Sequence, residues 1–179
     1  MIIELGHFAL ILATVFAVAQ VGFGFWGART HNLTYMRLAD KATEAGFILT
    51  FASFIALVYA YVVSDFSVVS VWQNSHQDKP LIYRIAGTWG NHEGSLLLWA
   101  LILALFAACL VWAGKSLPST LKANVLGVQG LIALGFLSFM VLTSNPFLRQ
   151  IEVPLDGQGL NPLLQDIGLA LHPPMLYLG

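Results

Sequence analysis

The chain has 179 residues, 58% of them hydrophobic and only 9% charged, with a mean hydropathy of +0.77. A water-facing domain carries about 25% charged residues, so lipid must be the solvent for most of this one. A formal net charge of −1 leaves no positive face to displace counterions from phosphates, which excludes a nucleic-acid binder.

A helix needs about 20 mostly apolar residues to cross about 30 Å of hydrocarbon. The first stretch that qualifies runs from about Leu5 to Trp26, with Trp26 as an interfacial anchor. The residues ahead of it, Met1 to His7, lack the positive charge of a cleavable leader, so this run is expected to stay as a span. The second runs from about Ala42 to Val63 and closes on Tyr59 and Tyr61. The third, Ser95 to Ala113, carries no charge, and the fourth, Ala123 to Thr143, stops before Asn145-Pro146. A last apolar stretch follows Pro162; from about Pro173 it reads as the entrance to a fifth span whose remainder lies past Gly179. The expected fold is all-α, a polytopic transmembrane helical bundle of about four full spans plus the start of a fifth. Ala9, Ala13 and Ala17, and then Ala52, Ala56 and Ala60, form small-residue stripes that let helix backbones approach in lipid.

Lys and Arg set orientation. Arg29, Arg37 and Lys41 lie between spans one and two, and Lys115 and Lys122 between three and four, so both short connections are expected in the cytoplasm. The N-terminus and the long connections, about residues 64–94 and 144–172, are then expected outside.

Several motifs resemble chemistry in letters alone. Gly22, Gly24 and Gly27 spell G-x-G-x-x-G, but they close a membrane span instead of following a strand. Gly114-Lys115-Ser116 looks like the end of a phosphate loop whose upstream glycine position holds Cys109. Asn32-Leu33-Thr34 is a glycosylation sequon on the expected cytoplasmic side. Cys109 is the single cysteine, so no internal disulfide forms, and no Cys-x-x-Cys-His is present to carry covalent haem.

Two motifs hold candidate functional residues. Trp89-Gly90-Asn91-His92-Glu93-Gly94-Ser95 opens the uncharged third span. Asn91 can cap that helix and Glu93 can complement its dipole, yet capping uses neither Trp89 nor His92. A Trp and a His beside glycine-exposed backbone also suit a flat aromatic ligand at the membrane interface. The second motif is Asn161-Pro162-Leu163-Leu164-Gln165-Asp166, leading to His172-Pro173-Pro174-Met175-Leu176-Tyr177. Proline disfavours helical backbone in the residue before it, so His172 is expected to be extended at the mouth of the next helix. An imidazole presented there is either a bland interfacial side chain or a ligand for a metal such as haem iron.

These motifs, with Ser64-Asp65-Phe66-Ser67-Val68, Tyr83-Arg84, Leu96-Leu97-Leu98-Trp99 and Thr143-Ser144-Asn145-Pro146-Phe147 in order between them, resemble the N-terminal part of the CcmF family over essentially the whole chain. The resemblance implies a haem lyase of bacterial cytochrome c maturation, in the inner membrane with its N-terminus periplasmic. Its substrate is haem (haem b in transit), received from the periplasmic chaperone CcmE. Attachment to the thiols of apocytochrome c proceeds with CcmH and CcmI. His172 maps onto the motif histidine taken as a haem axial ligand, binding the iron; Trp89, His92 and Glu93 are expected near the ligand, and no catalytic residue is assigned. Asp65, Arg84 and Asn161 are expected to hold loops together or to meet haem propionates. The family's tryptophan-rich segment, its partner periplasmic histidine and its intramembrane histidines have no counterpart in this sequence. Two other readings stand beside it: a membrane transporter of haem or another small molecule, and a non-catalytic scaffold that docks maturation partners.

Overall fold

Peptide groups in lipid must be satisfied within the protein, and a helix does so inside one segment. The computed structural model describes residues 1–159, 161 and 165–179, and is all-α: among the described residues there is no strand, only an isolated antiparallel bridge between Val68 and Arg149. In chain order the helices are α1 (Ile2–Thr30), α2 (Leu33–Val62), α3 (Val69–Asn74), α4 (Leu81–Gly87), α5 (His92–Ala113), α6 (Ser119–Leu142) and α7 (Ile167–Leu178). Four of them, α1, α2, α5 and α6, are long and apolar enough to cross a membrane, and α7 is a shorter apolar helix.

Three of the helices, α2, α5 and α7, start at a side-chain cap and not where the apolar run begins. Asn32 accepts a hydrogen bond from the Thr34 amide at 2.9 Å and opens α2 well before Ala42, so Arg37 and Lys41 lie on a helix. His31, left-handed at φ 52, ends α1, so the hairpin turn needs only two residues. Asp166 caps α7 through the amides of Gly168 and Leu169, so that helix begins six residues ahead of the expected entrance at Pro173.

Close backbone approach holds the bundle together. Ala9, Ala13, Ala17, Ala56 and Ala60 are buried in it. Ala52 is exposed, because a stripe at four-residue spacing rotates about 40° per step and carries it to the edge of the seam. Two glycines of the run in α1 are part of this packing: a Cβ on Gly24 would lie 3.0 Å from Gly127 Cα in α6, and one on Gly27 would lie 2.9 Å from the Met36 amide nitrogen in α2. On the same α1–α6 seam Gln20 donates its side-chain amide to the Leu126 carbonyl at 2.8 Å. Leu10, Leu57, Leu97, Leu126 and Met140 are fully buried between the helices.

The connectivity gives the bundle two unlike ends. Arg29, Arg37, Lys41, Lys115 and Lys122 gather at the tight turns, where Lys122 pairs with Asp40 at 2.8 Å across α6 and α2. The opposite end carries the two long connections and α7.

Candidate functional site

The long connections fold into one layer around Tyr61, fully buried at the end of α2. Its hydroxyl donates to the Ser70 carbonyl and accepts from the Asn91 amide, each at 2.8 Å. Asn91 also donates to the Gly87 carbonyl at 2.8 Å, and its oxygen accepts from the Gly94 amide at 2.8 Å, capping α5. One phenol and one amide thus join α2, α3, α4 and α5.

The second connection is laced onto the first. Val69 donates to the Leu148 carbonyl at 2.9 Å, Gln150 to that of Ser67 at 2.8 Å, and Gln158 to that of Trp72 at 2.8 Å. His76 meets Asp156 at 3.0 Å. Arg149 reaches Asp65, Ser67 and Glu4, and Arg84 donates to the Val62 and Lys79 carbonyls at 3.1 Å each. Asp65 and Arg84 therefore hold loops. Lys79 lies beside the Gly159 turn (φ +97), and burial pushes its ammonium below the ordinary lysine range. His7, which the motifs did not single out, meets the Asn145 side chain at 3.1 Å and stacks on Phe147. The only hint in the sequence was Asn145-Pro146-Phe147 itself, which needed a partner at the same end.

At α7 the structure corrects the expectation for His172. The helix runs through His172, Pro173 and Pro174, so the residue is helical and not extended. Prolines here have no amide hydrogen, so the carbonyls of Leu169 and Ala170 lose their regular helical partners. Trp89 supplies one of them: its indole N–H donates to the Ala170 carbonyl at 2.7 Å. About two turns further on, Tyr177 stacks on Trp99 of α5 with ring centroids 5.8 Å apart and planes 9° apart. The two motifs, distant in sequence, are thus joined in space.

This docking sets which way His172 faces. At about 100° per residue, Ala170, Pro173, Pro174 and Tyr177 share one side of α7, and these are its buried or half-buried residues. His172 lies about 200° round from Ala170 and is exposed, flanked by exposed Met175 and Leu176. Pro162 to Leu164 of the preceding motif lie outside the described residues; Asn161 is exposed and Asp166 is the cap of α7.

The other candidates do not converge on His172. Exposed His92 sits edge-on to Phe139 of α6, at the rim of an open apolar groove of about 380 Å³ with Leu96, Leu131, Gly135 and Phe136. Glu93 is half-buried in the first turn of α5, where negative charge complements the helix dipole. Among the described residues no three His, Cys, Asp or Glu side chains gather as a metal site. What α7 itself offers is the outward imidazole of His172.

The stretch that contains both motifs, residues 89–179, matches the family model described as cytochrome C assembly protein. The chain belongs to the cytochrome c assembly protein family. Among curated members it is similar to the cytochrome c-type biogenesis protein CycK of Rhizobium meliloti, 56% identical over 100% of this chain and 26% of that protein. It is also similar to CcmF of Escherichia coli, 40% identical over 98% of this chain and 27% of the relative. A solved structure of the cytochrome c heme lyase CcmF superposes with a TM-score of 0.84 at 26% identity, over 99% of this chain and 28% of that one. The chain therefore spans about a quarter of the length of the family members it matches.

Proposed function

We propose that this chain acts in c-type cytochrome biogenesis as part of a haem lyase, with the layer formed by the two long connections and α7 on the periplasmic face of the bacterial inner membrane. Haem is the substrate in this reading. It arrives from the chaperone CcmE, and its vinyl groups take up apocytochrome c thiols in a complex that includes CcmH and CcmI. Each bond forms as a thiol S–H adds across a vinyl C=C: sulfur bonds one carbon, hydrogen the other, and the iron need not change oxidation state.

The observation that carries the reading is the contact between Trp89 and Ala170. It ties the two motifs together inside the family match and turns His172 away from the bundle. His172 fits the role of axial ligand: it is exposed, and its ring makes no hydrogen bond to any described residue. Met175 and Leu176, 64% and 63% exposed, flank it with the apolar surface that a porphyrin face favours. Ligation by a neutral imidazole would fix the ring and tune the iron, while the addition chemistry belongs to haem and thiol. His92 lies apart from this ring, and Trp89 and Glu93 act through α7 and α5.

The test is His172→Ala in the assembled maturation complex, read by haem absorption and cytochrome c yield. Both should fall by about tenfold or more, since metal affinity drops on that scale even when only supporting groups are lost. Unchanged haem and yield would leave the chain a docking role only.

A further inference from the structure

We propose that Trp89 is a positioning residue for His172, its indole N–H replacing the amide hydrogen that Pro174 withholds and so fixing the rotation of α7. The functional consequence rests on the reading of His172 as a haem ligand; the structural claim does not.

In a regular helix the Ala170 carbonyl accepts from the amide of residue 174. Proline there removes the donor, and its ring crowds the carbonyl and turns it outward. A peptide carbonyl left without a donor away from water costs about 1–3 kcal/mol. Ala170 is 3% exposed, so water does not supply the bond. The Trp89 indole does, at 2.7 Å, from a residue held between α4 and the Asn91 cap of α5.

The bond forms in only one orientation of α7. The carbonyl to be met lies on the side of the proline ring, so docking requires Pro173 and Pro174 to face the bundle. Stacking of Tyr177 on Trp99 fixes the same side at a second point. With two contacts on one face, His172 on the opposite face has no freedom to turn inward. The double proline therefore does not hold His172 extended. It creates an acceptor that only a donor from outside the helix can satisfy, and Trp89 is that donor.

The claim makes a specific prediction for a double-mutant cycle. Alanine at 174 restores an amide to the helix, so the Trp89 indole is no longer needed. In the membrane-embedded protein, Trp89→Phe keeps an aromatic ring but removes the N–H, and amide exchange across α7 should quicken about three- to tenfold. In a Pro174→Ala background the same Trp89→Phe change should alter exchange by less than about twofold. Equal effects in both backgrounds would overturn the proposal, as would no effect in either.

Haem absorption is read on the same proteins. Haem occupancy should fall in Trp89→Phe and return in the double variant, following α7 exchange. A fall in haem with α7 exchange unaltered would assign Trp89 a direct ligand contact and overturn the positioning role. His172→Ala separates the two proposals: it should lose haem with α7 exchange unchanged. Retention of haem there would refute the ligand reading, and the exchange cycle would still decide the role of Trp89.

Discussion

At Gly94 the first turn of α5 runs against the Thr88 carbonyl, and even a methyl group would overlap that oxygen. Gly94→Ala should lower thermal stability in detergent at the upper end of the about 1–3 kcal/mol typical of overpacking, because both neighbours are backbone. Gly22, also helical, has open space around it, so Gly22→Ala should gain up to about 1 kcal/mol through helix propensity in the same assay. The two substitutions separate a glycine needed for contact from one that is merely tolerated. Tyr61→Phe tests the buried hydroxyl. It leaves the Asn91 amide with only its carbonyl partners, and a loss of about 1–2 kcal/mol in the same melting assay is expected.

Between elements, backbone pairs and side-chain hydrogen bonds together join the two long connections, and the exposed charges add little. Arg149 is 38% exposed, Glu4 57% and Asp65 29%, so Arg149→Ala should lower the melting temperature only slightly, and by less still at high salt. The four spans were legible in the sequence because hydropathy over 20 residues is a long-range signal that no single neighbour overrides. Asn91 as a cap was legible for the opposite reason, since capping is decided within three residues. The state of His172 was not legible. The rule that proline disfavours helix before it is local, whereas the group that satisfies the freed carbonyl is 81 residues away in sequence. The same holds for Trp89: its place in a motif beside His92 suggested a shared ligand, but its ring serves α7 while His92 leans on α6.

For the molecule as a whole, the unlike charge at its two ends is the basis for orientation. A reporter inserted between Lys115 and Leu117 should be active in the cytoplasm, and one at Gln77 should report the periplasm; the reverse pattern would remove haem delivery at α7 from consideration. The Lys122–Asp40 pair, with both side chains largely covered, should resist salt better than Arg149 and keep α2 and α6 together at the basic end. The prolines of α7 have a last consequence for immersion depth. Trp89 serves Ala170, but the Leu169 carbonyl also loses its regular donor to Pro173, and Leu169 is 46% exposed. Hydrocarbon offers such a carbonyl nothing, at a cost of several kcal/mol, while headgroups and interfacial water do. The first two turns of α7 should therefore lie at the waterline, which would leave the His172 imidazole within reach of water, as the proposed haem ligation requires.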